Sequence, residues 1–114
     1  MTSQFKKGIL ELIVLLEVSK KDVYGYELVS NVSKIIDVNE GTIYPLLKRL
    51  TNEHYFETYL VESTGGPPRK YYKITTIGKR RTNELSKSYK KFSDKVNKYI
   101  EEWEKWPKEL FLKN

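Results

Sequence analysis

The sequence has no cysteine and a single histidine, His54, so the side chains that most often carry nucleophilic or metal chemistry are nearly absent. Without cysteine the chain forms no disulfide, no thiolate metal site and no thiol nucleophile. The sequence around His54 offers no partner for catalysis or metal binding. Its position just after a predicted helix instead suits a cap residue with positive φ, which histidine tolerates. We therefore predict no enzyme activity, no metal site and no cofactor.

Long hydrophobic runs and phosphate-binding glycine loops are missing as well. The most apolar stretch, residues 10–18, is interrupted by Glu11 and Glu17 and is too short to span a bilayer. The start of the sequence shows no signal pattern. Gly65 and Gly66 precede prolines rather than a helix, which excludes a phosphate loop. With 114 residues, 39% of them hydrophobic and 32% charged, we expect a one-domain globular protein in the cytoplasm, without a membrane partner.

Positive charge is concentrated in one short segment. The net charge is +6, with 21 Lys and Arg against 15 Asp and Glu. Residues 63–83 contain no acidic residue, and the rest of the chain is neutral overall. The basic residues of this segment are Arg69, Lys70, Lys73, Lys79, Arg80 and Arg81. A basic block beside turn-forming residues favours contact with a polyanion, and a solvated charged face is the alternative.

Apolar residues at helical spacing predict three helices in the first half of the chain. The first covers residues 4–19, and its apolar stripe is Phe5, Ile9, Leu12, Ile13 and Leu16. Further apolar residues widen this stripe, so the helix needs a second surface to bury against; they are Leu10, Val14 and Leu15. The second helix covers residues 24–36, and the third runs from the N-cap Asn39 to about Asn52. Short connections between them are typical of a helix-turn-helix unit.

The pattern then changes to two strands and a final helix. Residues 56–62 and 70–75 are rich in aromatic and β-branched residues and flank the turn-forming run 63–69, which predicts a β-hairpin. Thr75 suits the N-cap of the last helix. Apolar residues then follow an a/d heptad register, and they are Leu85, Tyr89, Phe92, Val96, Tyr99, Trp103, Trp106 and Leu110. Pro107 is expected to end or kink this helix.

The third helix and the hairpin carry side chains suited to binding DNA. The helix holds Asn39, Gly41, Thr42, Tyr44, Lys48 and Arg49. The amino-terminal part of such a helix meets base edges in the major groove, and an ordinary surface helix is the alternative. In the hairpin, Gly66 shapes the tip, while Arg69 and Lys70 are placed to reach phosphates or the minor groove, as in a wing. The alternative is a solvent-exposed turn, but three helices followed by a hairpin favour the wing because both parts then face one duplex.

Three motifs resemble the PadR family of bacterial repressors. Residues 24–28 (Tyr-Gly-Tyr-Glu-Leu) resemble the start of its second helix, and residues 41–50 (Gly-Thr-Ile-Tyr-Pro-Leu-Leu-Lys-Arg-Leu) resemble its recognition helix. Residues 66–75, together with Gly78, resemble its wing and the start of its last helix. Two residues depart from the pattern, since His54 replaces the usual Gly and Tyr55 a smaller apolar residue.

The resemblance implies a mainly α fold with a small β-hairpin. Residues 1–75 would form a winged helix-turn-helix, with the recognition helix continuing through Pro45. Residues 76–114 would form a long dimerisation helix that packs with the first helix. The implied function is sequence-specific binding of double-stranded DNA and repression of transcription. The predicted DNA-contacting residues are Tyr24, Asn39, Gly41, Thr42, Tyr44, Lys48, Arg49, Gly66, Arg69 and Lys70.

The first and last helices predict a homodimer. The second apolar face of the first helix and the long heptad stripe need burial, which two chains provide for each other. Packing of the stripe within one chain is the alternative. A twofold dimer would read two half-sites of a pseudo-palindromic operator. The predicted dimer and effector residues are Phe5, Ile9, Ile13, Tyr89, Phe92, Val96, Tyr99 and Trp103.

The aromatic side chains of this stripe leave two interpretations open. Gaps between the rings would bind a flat aromatic effector, and some relatives hold drug-like or phenolic ligands between the first and last helices. A filled core is the alternative and the usual fate of such a stripe. Two other functions also remain open, a protein-interaction module and a drug-sequestering protein with a secondary role on DNA. The salt dependence of DNA binding separates both from a winged-helix regulator.

Overall fold

The computed structural model describes the backbone of residues 3–109 and the side chains of residues 8–109. The Phe5 side chain and Leu110, both named in the predictions, lie outside this range. Within it the elements are α1 (Ser3–Lys20), β1 (Val23–Tyr24), α2 (Gly25–Ile35), α3 (Glu40–Asn52), β2 (Phe56–Ser63), β3 (Gly66–Ile74) and α4 (Thr76–Glu104). The three strands form an antiparallel sheet in the order β1-β3-β2. The predicted class, mainly helical with a small sheet and a long last helix, is confirmed.

The apolar residues of α1 divide between two sides. Leu10, Val14 and Leu15 are fully buried in the core. Ile9 and Ile13 are only half-buried, and Leu16 is 40% exposed. The residues that widened the predicted stripe therefore pack into the core, while much of the stripe itself is partly exposed to solvent.

The start of α2 differs from the prediction. The helix begins at Gly25, because Tyr24 belongs with Val23 to β1, which pairs with β3 so that Tyr24 lies opposite Tyr71. A strand of two residues is too short to show an alternating pattern, so the sequence could not reveal it. Along α2, Leu28 and Val32 are buried as part of the core.

Both ends of α3 agree with the prediction. The Asn39 side chain accepts a hydrogen bond from the Thr42 N–H at 3.1 Å, which confirms the N-cap. The helix continues through Pro45, as the family resemblance implied. After it, His54 has φ 67°, and the Tyr55 N–H donates to the Leu50 carbonyl at 3.0 Å. This is the bonding of a left-handed helix cap, so the cap role of His54 is confirmed.

The hairpin is tighter than predicted. The turn is Thr64 and Gly65, with Gly65 at φ 76°, and β3 already begins at Gly66 instead of residue 70. Pro67 and Pro68 therefore lie in the strand and not in the turn. The pairing of β2 and β3 is irregular at this point, since the register shifts between Val61 and Ser63. Prolines are tolerated at a bulge because the ladder does not need their missing N–H groups there.

The first turn of α4 is fixed against the core. The Gly78 N–H donates to the Thr75 hydroxyl at 3.0 Å, so Thr75 caps the helix as predicted. A side chain at Gly78 would clash with the Tyr55 carbonyl oxygen and stand 2.8 Å from Ile74 Cδ1, so only glycine fits there. The compact unit Met1–Glu84 includes these first turns of α4, whereas Leu85–Asn114 form a second unit.

The helical part of the second unit is shorter than the predicted heptad stripe. The helix ends at Glu104, so the prediction that Trp106 continues the stripe within it is wrong. Pro107 explains the early end, because proline disfavours helical geometry at the residue before it. Among the described residues, no helix is long and apolar enough to cross a membrane.

Candidate nucleic-acid interface

The beginning of α2, helix α3 and the β2–β3 hairpin surround an open groove of about 570 Å³. Half of the predicted DNA-contacting residues line it, namely Tyr24, Tyr44, Gly66, Arg69 and Lys70. These residues come from three separate parts of the sequence, so the fold itself brings them together. The groove thus joins an aromatic wall, two basic side chains and the tip of the hairpin.

A second groove of about 370 Å³ lies on the other side of Tyr44 and Lys70, which line both. Lys48 belongs to this second groove together with Thr51 and Asn52 of the last turn of α3. The exposed face of α3 therefore presents Tyr44 between the two grooves and Lys48 in the second groove, next to Lys70 of the wing.

The start of α3 holds three further predicted residues in a local arrangement of their own. Asn39 Oδ1 accepts from the Thr42 N–H and, at 3.4 Å, from the Thr42 hydroxyl. A side chain at Gly41 would meet the same oxygen at 3.2 Å. Asn39 is therefore occupied as the helix cap, and Thr42 lines a separate groove beside Leu10 of α1.

Arg49 lies away from the groove of the wing and contacts acidic side chains. Its guanidinium pairs with Glu53 at 3.0 Å and with Glu11 of α1 at 3.2 Å. Hydrogen bonding to Glu53, aided by Glu11 and opposed by partial burial, raises the pKa of Arg49 above its ordinary value. Glu11 also pairs with Arg81 of α4 at 3.7 Å. Two of the basic side chains near the predicted interface are thus engaged within the protein.

An aromatic row crosses the outer face of the sheet, with one ring on each strand. The Tyr71 ring lies between Tyr24, at 5.7 Å between centroids, and Tyr59, at 5.5 Å and nearly parallel. At the end of the row, the Tyr59 hydroxyl donates to Asp22 Oδ2 at 2.6 Å. This hydrogen bond to the carboxylate raises the pKa of Tyr59 above its ordinary value of 10.0.

Arg69 and Lys70 point to opposite faces of β3, because successive strand residues alternate. The guanidinium carbon of Arg69 lies 4.7 Å from the centroid of the Tyr24 ring, at the end of the aromatic row. The Lys70 ammonium lies 5.9 Å from the Tyr72 ring on the side that faces α3. Burial, together with the nearby Tyr44, raises the pKa of Tyr72. The sequence suggested that Arg69 and Lys70 act together, whereas in the structure Arg69 contacts Tyr24 and Lys70 contacts Tyr72 on the opposite face.

Several groove residues escaped the sequence analysis. Gly25 and Tyr26 at the start of α2 line the first groove, and Tyr72 lines both grooves. Tyr26 is 74% exposed, so its ring is open to solvent at the groove. Its place within the Tyr-Gly-Tyr motif was the available signal. Within the described part of the chain, acidic and histidine side chains form no cluster that could hold a metal ion.

The predicted dimer residues of α4 are open to solvent in the single chain. Their side chains are between 41% and 72% exposed, and they are Tyr89, Phe92, Val96, Tyr99 and Trp103. On α1, Ile9 and Ile13 are half-buried.

Comparison with known proteins identifies the family. The model of the transcriptional regulator PadR-like family matches residues 13–84. A PadR-like transcriptional regulator from Bacillus cereus is 42% identical, with a TM-score of 0.78 over 86% of this chain and 97% of its own. A PadR-like transcription factor from Bacteroides fragilis is 41% identical, with a TM-score of 0.73 over 85% and 95%. An uncharacterized protein from Lysinibacillus sphaericus is 31% identical over 87% of this chain and 94% of its own. The chain therefore belongs to the PadR-like family and is a DNA-binding, winged-helix regulator of transcription rather than an enzyme.

Proposed function

We propose that the protein represses transcription as a homodimer bound to a pseudo-palindromic operator, acting in the cytoplasm. Helix α3 enters the major groove, and the β2–β3 wing lies on the adjacent backbone or in the minor groove. The observation that carries this proposal is the common groove of Tyr24, Tyr44 and Lys70, which come from α2's start, α3 and the wing. These parts face one opening, as a single duplex requires.

Each part of the surface has its own task in this proposal. Tyr44 and Lys48 lie exposed on α3 and contact base edges and phosphates. The amino-terminal end of α3 approaches the same duplex with Asn39, Gly41 and Thr42. Arg49 approaches it from the side of α3 that faces α1. In the wing, Gly66 lets the protein backbone come close to the DNA, and Arg69 and Lys70 neutralise DNA phosphates.

The dimer is supported by the apolar side chains that one chain leaves uncovered. In α4 these include Phe92, which is 66% exposed, and Tyr99, which is 72% exposed. Large apolar side chains at heptad spacing and this degree of exposure are typical of a helix that packs against a partner. We propose that residues 76–114 form this interface with residues 4–19, including Phe5, Ile9 and Ile13, and that residues 1–75 bind DNA.

Selection of DNA by the purified protein tests the proposal. From a pool of random duplexes, the protein is expected to enrich two inverted half-sites whose centres are about 10–10.5 base pairs apart. Placing the selected site between promoter elements should lower transcription when the protein is added. Enrichment of an unrepeated site would contradict the symmetric dimer, and increased transcription would contradict repression.

We further propose that a small aromatic molecule releases the protein from DNA by binding between the aromatic rings of the dimer interface. The support is the set of exposed rings along α4, which includes Trp103. 2-Naphthol is a suitable neutral probe, because its two rings are too small to intercalate well between base pairs. Trp103 and Trp106 are the chain's two tryptophans and report binding through their fluorescence. Quenching that saturates and accompanies DNA release is expected. Absence of quenching, or quenching with the DNA complex intact, would favour a filled core.

A further inference from the structure

We propose that Tyr24 is a positioning residue that holds Arg69 of the wing ready for a DNA phosphate. The inference rests on the proposed contact of the wing with the DNA backbone. It assigns to Tyr24 a role through Arg69 instead of a direct contact with DNA. It also separates Arg69 from Lys70, which faces α3.

The first argument is the short strand β1. Its two residues, Val23 and Tyr24, pair with β3 and place Tyr24 opposite Tyr71. Arg69 is two residues before Tyr71 on the same face of β3, so it is the diagonal neighbour of Tyr24. The distance of 4.7 Å from its guanidinium carbon to the ring centroid is within the range of a cation–π contact.

The second argument is that the Tyr24 ring is itself held in place. It packs against Tyr71, which stacks on Tyr59, and Tyr59 is hydrogen-bonded to Asp22 just before β1. This row spans all three strands and ties the segment before α2 to both strands of the wing. A ring fixed in this way is a fixed site for the cation.

The third argument concerns the cost of ordering Arg69. An exposed arginine loses rotamer freedom when it binds a phosphate, and that loss weakens binding. Contact with the Tyr24 ring restricts the rotamers of Arg69 before DNA binds. The ring attracts the cation through its π electrons, so the guanidinium N–H groups remain available to phosphate oxygens. Tyr24 should therefore strengthen DNA binding without reading sequence.

NMR of the free protein tests the arrangement. In the wild type, the Arg69 Nε–Hε signal is expected to carry a ring-current shift. Tyr24→Phe retains the ring and should retain the shift, whereas Tyr24→Leu should remove it. An Arg69 signal that is the same in wild type and Tyr24→Leu would overturn the proposal.

Binding to a random-sequence duplex of 20 base pairs tests the function. Tyr24→Leu should raise Kd about two- to five-fold, the range expected for an exposed cation–π contact, while Tyr24→Phe stays near wild type. In an Arg69→Ala background, Tyr24→Leu should have no further effect. An equal loss in both backgrounds would overturn the positioning role, because a general effect on folding or a direct DNA contact acts without Arg69.

The same variants distinguish failure of this inference from failure of the proposed function. If Arg69→Ala combined with Lys70→Ala keeps the wild-type Kd and salt dependence, the wing does not contact the backbone, and the proposed function fails along with the positioning role. If Arg69→Ala weakens binding but Tyr24→Leu does not, only the positioning role is overturned.

Discussion

Tyr44 of α3 lies directly against Gly25 at the start of α2. A side chain at Gly25 would stand 3.2 Å from Tyr44 Cε1 and 3.5 Å from its hydroxyl oxygen. The lack of a side chain at position 25 therefore leaves Tyr44 the space it occupies between the two grooves. The geometry of a proposed DNA-reading residue depends on a glycine in another helix.

Replacing Gly25 with alanine is expected to move the Tyr44 ring by a few tenths of an ångström and weaken DNA binding. The loss should be about two- to five-fold in Kd, which does not exceed the low end of the ~1–3 kcal/mol of a complete base-edge contact. Fluorescence anisotropy with the selected duplex measures it. Ser30→Ala is the control, because Ser30 is an exposed residue of the same helix.

A double variant shows whether Tyr44 transmits the effect. Tyr44→Ala should itself weaken binding to the selected duplex, with the circular dichroism spectrum unchanged. Adding Gly25→Ala to Tyr44→Ala should then change nothing. If Gly25→Ala is equally harmful without the Tyr44 ring, the contact between them is not the cause.

The Glu11 side chain joins three helices, so its loss should lower stability. Glu11→Gln weakens the ion pairs of this residue with Arg49 and Arg81. The Glu11 side chain is only 15% exposed. We expect a loss of about 1 kcal/mol, between the values for exposed and buried pairs, and a melting temperature lower by about 3–5 °C.

Glu53→Gln provides the control, because it removes only the exposed partner of Arg49 and should cost under about 0.5 kcal/mol. Both variants are melted at the same protomer concentration, since the stability of a dimer depends on it. Equal melting temperatures for Glu11→Gln and wild type would show that the three-helix contact contributes nothing measurable.

Charges placed on the open face of α4 should separate the proposed dimer. Phe92→Glu with Val96→Glu puts carboxylates among apolar side chains and is expected to give monomers by light scattering at micromolar concentration. Asn97→Glu, which lies outside the apolar stripe of the same helix, should leave the dimer intact. A wild-type chain that scatters as a monomer at this concentration would refute the dimer itself.

Local sequence signals predicted much of the fold. The Asn39 cap, the left-handed His54 and the Thr75 cap each depend on residues a few positions apart, and the structure contains all of them. Helical periodicity located the helices for the same reason. Pro45 is different, because only the family resemblance indicated that α3 continues through it.

Contacts between distant parts of the chain could not be predicted. The strand β1 exists because β3 offers it an edge, and two residues carry no periodicity of their own. The pairing of Arg49 with Glu11 was not predicted, because Glu11 lies on another helix, 38 residues away. The separate surroundings of Arg69 and Lys70 likewise depend on Tyr24 and Tyr72, which the strand pairing brings to opposite faces.

The contact of Tyr59 with Asp22 should be visible in an alkaline titration. Ionised Tyr59 would lose its hydrogen bond and be repelled by the carboxylate, so its pKa in the folded protein lies above 10.0. The contribution to stability is present below the unfolded pKa and is lost as the pH rises through the folded pKa. Tyrosine ¹³Cζ shifts, assigned with Tyr59→Phe, should show the pKa returning toward 10.0 in Asp22→Ala. If Tyr59 has the same pKa in the wild type and in Asp22→Ala, the contact is contradicted.

The salt dependence of DNA binding tests the central claim most directly. Log Kd is measured against log salt for wild type and for Arg69→Ala combined with Lys70→Ala, on the selected duplex and on random DNA, with Lys34→Ala as a control for loss of charge elsewhere. Each phosphate contact contributes about 0.9 to the slope, so the double variant should lose about 1.8 and weaken both DNAs by similar factors, while Lys34→Ala keeps the wild-type slope. A double variant with the wild-type slope would contradict the account, because the wing would then not touch the DNA backbone.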